Sequence, residues 1–234
     1  MATPAATLSV LIAAGGLRAG TTTDVVVAVD VPRGWHVYWQ NPGQSGLPTE
    51  VTLTTDPTFV VSGPDWTAPT RFVTDGLTSY GYGERAAAVH RVAVPAQAAG
   101  WTSIEATGTW LLCKDVCVRG EGRVVSRARV RPPGPVRPHP ARRDLPAPFA
   151  ESGGSASFAE GALRVDVPGA GPYELFPTVP LESVWAPTSA VDAAGLHVRA
   201  RLTEVPPNTQ LVITRGAGPS RRAWVLDVAT LSPE

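Results

Sequence analysis

The chain has 234 residues, 43% of them hydrophobic and 17% charged, so it can form a folded core and lacks the composition of a disordered protein. Its formal net charge is zero, with one lysine, Lys114, against 19 arginines. This balance excludes the basic field that attracts nucleic acid and excludes a polybasic membrane patch. No segment approaches the roughly 18 apolar residues of a membrane span, so we expect a soluble chain.

Alternating apolar residues predict short strands from the beginning of the chain. Leu8, Val10 and Ile12, followed by two glycines, favour a first strand and turn over a secretion signal, because no charged residues precede them. Proline and glycine turn signals separate the strands that follow. With 23 glycines and 24 prolines, we expect few and short helices. Further strands are predicted at residues 24–31, 50–54, 86–94, 103–113 and 117–130.

A proline-rich segment divides the chain at residues 132–148. Repeated proline prevents ladder pairing and favours an extended connector. After it, strands are predicted at residues 162–167, 173–176, 195–202, 210–214 and 223–228. The predicted fold is all-β, with two immunoglobulin-like β-sandwich domains joined by a Pro-rich linker. We place the first domain at residues 1–131, the linker at 132–148 and a second, smaller sandwich at 149–234.

The two cysteines, Cys113 and Cys117, lie at the junction of two predicted strands. On one extended strand their Cα atoms would be roughly 13 Å apart, which no disulfide can span. A bridge therefore requires a three-residue hairpin loop or one turn of helix. So small a ring removes only about 2 kcal/mol of unfolded-chain entropy. A redox centre is therefore a candidate role, with an inert disulfide or two buried thiols as the alternatives.

Three separate segments resemble motifs of one family. Residues 34–46, GWHVYWQNPGQSG, are similar to the GWHxYWxNPGxxG signature of the amino-terminal periplasmic domain of DsbD-type and ScsB-type thiol:disulfide interchange proteins. Residues 77–82, LTSYGY, and residues 110–117, WLLCKDVC, are similar to the LTSYGY and WLxCKDxC segments of the same family. The resemblance covers about residues 8–130. In the second domain, YELFP at residues 173–177 resembles an FFP-like segment of the ScsB-type subgroup.

The resemblance implies a redox module in which Cys113 and Cys117 cycle between dithiol and disulfide. Such a module passes electrons from a membrane-embedded donor domain, in the same full-length chain or another, to periplasmic thioredoxin-fold proteins. The redox-active disulfide is its only implied cofactor, and no metal is implied. The resemblance also implies a periplasmic location, as the soluble part of a membrane protein or as a secreted chain. The DsbD branch has five residues between its cysteines and this chain has three, so its partner preference is not carried over.

Two residues between the cysteines are candidates for tuning their chemistry. Lys114 could stabilise a thiolate by its charge, and Asp115 would oppose that effect or accept a proton. The alternative is an ordinary solvated turn.

Aromatic residues are candidates for covering the sulfur atoms. Phe72, Tyr80 and Tyr82 are predicted as an aromatic cap loop, hinged at the glycines 76, 81 and 83; core packing of the two tyrosines is the alternative. Period-two alternation places His36 and Tyr38 on the face opposite the neighbouring tryptophans. Either residue could therefore reach the redox site.

Two other classes of function use the same residues. Cysteines separated by three residues also occur in the copper sites of Sco-like proteins, where thiolates hold Cu(I) with a histidine. His36 and His90 are the candidate third ligands, since His139 lies in the proline-rich segment. The βαβ pattern of that fold is lacking here. A third class, an adhesion module with an incidental disulfide, leaves the aromatic and cysteine motifs unexplained.

His197, on an alternating strand, is predicted as a surface residue.

Overall fold

The structure is a computed structural model that describes residues 5–180, 188–201 and 207–231. It divides into two compact units, Met1–Leu145 and Pro146–Glu234. In the described residues the helices are four 3-10 segments, at Pro140–Asp144, Phe149–Ser152, Gly218–Ser220 and Val228–Thr230. The predicted all-β class is confirmed. Within the same described ranges, no helix is long and apolar enough to cross a membrane.

The first unit is built from ten strands in two antiparallel sheets. Their bounds are β1 (Thr7–Ile12), β2 (Thr22–Asp30), β3 (His36–Gly43), β4 (Glu50–Thr54), β5 (Val60–Trp66), β6 (Thr70–Thr74), β7 (Leu77–Tyr82), β8 (Arg85–Ala93), β9 (Gly100–Cys113) and β10 (Cys117–Val130). One sheet has the order β1-β2-β8-β5. The other has the order β10-β9-β3-β7-β6, and β4 pairs with β9.

Strands β9 and β10 form a hairpin of two 14-residue strands, the longest in the described chain. Along β9 every second residue is buried, including Ile104, Ala106, Trp110 and Leu112. The intervening residues face outward on the other side of the sheet. This period of two is what a strand buried on one face requires. The tip of the hairpin carries the two cysteines.

Part of the proline-rich segment packs on the first unit. The 3-10 helix Pro140–Asp144 brings Ala141 and Leu145 against a buried cluster on β2 and β8. The Asp24 carboxylate accepts a hydrogen bond from the His139 backbone N–H at 2.9 Å. The first compact unit therefore extends to Leu145, and this stretch is not a free connector. The predicted domain limits themselves stay a prediction.

Four strands of the first unit, β3, β5, β6 and β7, lie outside the residue ranges predicted as strands, although the alternation that includes His36 and Tyr38 already has the period of a strand. Pro42 and Gly43 interrupt the apolar pattern of β3, and Gly63-Pro64 interrupts that of β5. Since β5 is an edge strand, Pro64 is tolerated where the register shifts. The stretch predicted as a cap loop is a hairpin formed by β6 and β7.

The second unit contains two four-stranded sheets, in the orders β11-β18-β17-β14 and β12-β13-β16-β15. Their core includes Leu163, Val198, Ile213 and Trp224. The prediction of a strand at 195–202 extends to Leu202, which lies outside the described residues. The bounds are β11 (Ala147–Pro148), β12 (Ser155–Ala159), β13 (Ala162–Pro168), β14 (Tyr173–Pro177), β15 (Thr188–Val191), β16 (Gly195–Arg201), β17 (Gln210–Arg215) and β18 (Arg222–Asp227).

Candidate active site

A disulfide joins Cys113 at the end of β9 to Cys117 at the start of β10. The two residues are directly opposed in the ladder, and their Cα atoms are 4.2 Å apart. The residues between them form the hairpin loop, in which the Lys114 backbone N–H donates to the Val116 carbonyl at 3.0 Å. Of the two geometries that the spacing allowed, the structure has the hairpin.

The two cysteines differ in exposure. Cys113 is only 2% exposed, and the Tyr38 side chain lies against its sulfur, whereas Thr107 and Thr109 on the same face of β9 are exposed. Cys117 is exposed, since β10 is an edge strand of its sheet. Of the two cysteines, Cys117 is therefore the one that is accessible from solvent.

Tyr38 contacts the buried sulfur. Its hydroxyl donates a hydrogen bond to the Cys113 Sγ at 3.4 Å. Burial raises the pKa of Tyr38, and a hydrogen bond with Ser45 partly offsets that effect. The hydroxyl thus stays protonated at neutral pH and remains a donor toward the sulfur. A donor in this place favours the charged thiolate form of Cys113 over the neutral thiol.

The loop after β3 covers the Tyr38 ring. Gly46, at φ +100°, lies so close that a Cβ atom there would overlap the ring. The Gln44 side chain accepts a hydrogen bond from the Thr78 backbone N–H at 2.8 Å, which attaches this loop to β7. The sequence interpretation did not select Gly46, Ser45 or Gln44, although all three lie within the 34–46 motif and its closely spaced glycines signal tight backbone contacts.

His36 and Phe72 complete one face of the sheet. His36 is paired with Cys113 across the β3–β9 ladder. Its ring is stacked on Phe72, with centroids 4.6 Å apart and planes at 15°, and meets the Tyr38 ring edge to face at 5.2 Å. Burial lowers the pKa of His36, so the imidazole is neutral at pH 7. The structure therefore brings the predicted residues His36, Tyr38 and Phe72 together on the face that bears Cys113, with Tyr38 in contact with its sulfur.

The hairpin of β6 and β7 carries Phe72 into this position. Its turn is Asp75-Gly76, both in the left-handed region. Gly81 pairs with Tyr38, and a Cβ atom there would overlap the Val37 carbonyl oxygen. Gly81, predicted as a hinge, is thus required for the close approach of β7 to β3.

Tyr80 and Tyr82 lie on the opposite face of β7. Tyr82 is buried in the core, where its hydroxyl donates to the Thr67 carbonyl at 2.7 Å and its ring stacks on Trp66. Tyr80 is half-buried and pairs with Arg71 on β6, the edge strand of this sheet. Since residues 80 and 82 alternate with Gly81, which pairs with Tyr38, neither tyrosine shares the face that bears the disulfide. Of the three predicted cap aromatics, the structure brings only Phe72 there.

Lys114 and Asp115 form an exposed ion pair at 3.9 Å, with side chains 51% and 87% exposed. Such surface pairs contribute little to stability. Their predicted roles in tuning the thiols stay predictions.

The candidate copper ligands are separated by the fold. His36 is beside Cys113, but His90 is buried on β8, in the other sheet. His139 accepts a hydrogen bond from the Ala141 backbone N–H. Among the described residues, no group of three or more His, Cys, Asp or Glu side chains could hold a metal ion.

A chain of two β-sandwiches, with a disulfide at a hairpin tip and a tyrosine hydroxyl against its buried sulfur, defines the class of this protein as a disulfide-bearing immunoglobulin-like module. Residues 10–128 match the family model described as thiol:disulfide interchange protein DsbD, N-terminal. Because the match spans more than half of the chain, the chain belongs to this family, and the predicted resemblance is confirmed.

One of two similar solved structures supports the fold. The crystal structure of the N-terminal periplasmic domain of ScsB from Proteus mirabilis is similar, with a TM-score of 0.62, 14% identity, and coverage of 94% of this chain and 92% of that chain. At this identity the likeness shows the fold alone. A marsupial T cell receptor, also 14% identical, covers 97% of this chain and 98% of its own at a TM-score of only 0.20, which carries no argument. No curated protein matches the sequence significantly.

Proposed function

We propose that this chain is a periplasmic thiol:disulfide exchange module, which receives electrons from a membrane-embedded donor and passes them to thioredoxin-fold proteins. One observation carries the proposal: in the Cys113–Cys117 disulfide Cys117 is exposed and Cys113 is buried, and the Cys113 sulfur accepts a hydrogen bond from Tyr38. Membership in the DsbD N-terminal family supports it. The periplasmic location follows the ScsB domain.

The exposed sulfur is suited to contact the partner in both half-reactions. On reduction, a donor thiolate attacks the Cys117 Sγ in line, the S–S bond breaks, and Cys113 leaves as a thiolate next to the Tyr38 hydroxyl. The second donor thiol then releases the mixed disulfide. On oxidation, the Cys117 thiolate attacks the partner disulfide, and Cys113 attacks the Cys117 sulfur to free the reduced partner.

The test is equilibration of the protein in redox buffers of defined potential, followed by alkylation of free thiols and measurement of the mass. We expect a dithiol to form in the range where thioredoxin-fold proteins exchange electrons. A disulfide that stayed intact well below about −300 mV, where structural disulfides persist, would exclude electron transfer.

Phe72→Ala is expected to speed reduction of the disulfide by dithiothreitol by about 2- to 10-fold. The reason is the loss of an aromatic stack with His36, worth about 0.5–1.5 kcal/mol, that holds the cap in place. Stopped-flow or quenched alkylation measures the rate. Val73→Ala is the matched control, because Val73 is the next residue, 66% exposed, and points to the other face of the hairpin. Equal rates for the two variants would refute the cap.

Tyr38→Phe is expected to slow reduction by about 10-fold or more. A hydrogen bond to a charged group contributes about 1.5–3 kcal/mol, and here it stabilises the departing Cys113 thiolate. Tyr82→Phe is the control: it also deletes a buried hydroxyl, but one that donates to the Thr67 carbonyl. If Tyr82→Phe slowed reduction as much as Tyr38→Phe, the effect would not come from the hydroxyl that contacts the Cys113 sulfur, and the proposed role of Tyr38 would be wrong.

A further inference from the structure

His36 connects the cap with the buried sulfur. Its ring is stacked on Phe72 and meets the edge of Tyr38, the residue whose hydroxyl contacts the Cys113 Sγ. His36 and Cys113 are directly opposed in the ladder, with their side chains on the same face. Directly opposed Cβ atoms in an antiparallel pair lie about 4.5–5.5 Å apart. His36 and Cys113 are therefore neighbours on this face of the sheet.

In the disulfide form, no charged group faces the His36 ring among the described residues that contact or pair with it. Tyr38 on the same strand is a neutral phenol, Cys113 on β9 is bonded to Cys117, and β6 contributes Phe72. The adjoining loop places its two charges, Lys114 and Asp115, in an exposed pair with each other. Burial alone therefore acts on the ring and lowers the pKa of His36.

We propose that His36 takes up a proton when the disulfide is opened, and that the resulting imidazolium holds Cys113 as a thiolate. The inference rests on the proposed exchange function. Reduction places a new negative charge beside the ring, and an opposite charge within about 4–6 Å favours the protonated imidazole. The same attraction favours the thiolate over the thiol, so Cys113 becomes a better leaving group and a more reactive resolving sulfur.

Protons and electrons are conserved in the reduction. A donor dithiol loses two protons and two electrons as it becomes a disulfide. The electron pair of the broken S–S bond goes first to the Cys113 sulfur, and the second donor thiolate then displaces the Cys117 sulfur from the mixed disulfide. One proton goes to the Cys117 thiolate and the other to the His36 ring. The products are a donor disulfide, a Cys117 thiol, and a Cys113 thiolate paired with imidazolium.

The first experiment compares Cys117→Ser with the double variant Cys117→Ser/His36→Phe. The phenyl ring keeps an aromatic surface for Phe72 but cannot bind a proton. The thiolate absorbance at 240 nm, followed from pH 4 to 10, gives the pKa of the remaining Cys113 thiol. We expect this pKa to be higher by about 1 or more in the double variant. The same pKa in both variants would overturn the proposal.

The second experiment uses the wild-type protein and needs no variant to fold. NMR titration of the imidazoles, before and after reduction by a phosphine, follows the four histidines of the chain. We expect the pKa of His36 to be higher in the dithiol form, and that of His197, in the other unit, to be unchanged. If the pKa of His36 did not depend on the redox state, the proposal would be wrong and His36 would be a packing residue only. Because the reductant is a small molecule, failure of exchange with protein partners would overturn the proposed function but would not alter this titration.

Discussion

Replacing Cys113 with serine is expected to leave a Cys117 thiol that reacts with a thioredoxin-fold partner about 10-fold or more faster than the Cys113 thiol left by Cys117→Ser. Cys117 is exposed, whereas Cys113 is 2% exposed and lies beneath the aromatic cluster. A tenfold ratio corresponds to about 1.4 kcal/mol in the barrier. The Tyr38 hydroxyl can still donate to a serine oxygen at position 113, so we expect the Cys113→Ser variant to keep the fold of the site.

The measurement uses a partner with one cysteine, activated as its thionitrobenzoate disulfide. Release of thionitrobenzoate gives the rate, and a non-reducing gel shows the mixed disulfide. The double variant Cys113→Ser/Cys117→Ser gives the background. Equal rates for the two single variants, or a faster reaction of Cys113, would contradict the assignment of Cys117 as the sulfur that contacts the partner.

Gly81→Ala is expected to destabilise the first unit by about 2–4 kcal/mol. The new Cβ atom would overlap the Val37 carbonyl oxygen, a backbone atom that cannot move aside without separating β7 from β3. Because β7 joins the edge strand β6 to the rest of the sheet, Phe72 on β6 would be displaced with it. Urea denaturation of the disulfide form measures the stability, and the rate of reduction by dithiothreitol should rise in parallel.

Gly83→Ala is the matched control, two residues further along. A Cβ atom there meets the Phe72 ring at 3.7 Å and the Trp35 carbonyl oxygen at 3.9 Å, both ordinary van der Waals distances. We expect a change within about 0.5 kcal/mol. If Gly81→Ala were as stable as Gly83→Ala, the close contact between β7 and β3 would not be what holds the cap.

Period-two alternation placed His36 and Tyr38 correctly on the face opposite Val37, since this pattern is a local property of any strand. The same rule placed Tyr80 and Tyr82 on one face of their strand. It could not show whether that face meets the core or the disulfide, because this depends on the register between β7 and β3. Tyr82 therefore proved to be a core residue, and Phe72 reached the site.

The other two differences concern the candidate copper ligands and the proline-rich stretch. Histidines 36 and 90 were equal candidates as partners of the cysteines, but β3 and β8 belong to different sheets. The proline-rich stretch before Leu145 was predicted as a connector, because proline excludes it from a ladder. Its 3-10 helix instead covers the outer face of β2 and β8, where apolar side chains would otherwise meet water.

The sequence by itself determined the all-β class, the family, and the need for a hairpin or a helical turn if Cys113 and Cys117 were to be bonded. These conclusions follow from the amino-acid composition, from short motifs and from the distance that a few residues can span. None of these depends on contacts between distant segments of the chain. Only the tertiary structure decided which sulfur is exposed and which aromatic residues surround the other. Exposure depends on which side chains of other strands lie over a residue, here Tyr38 of β3 against Cys113, and such contacts join residues far apart in the chain.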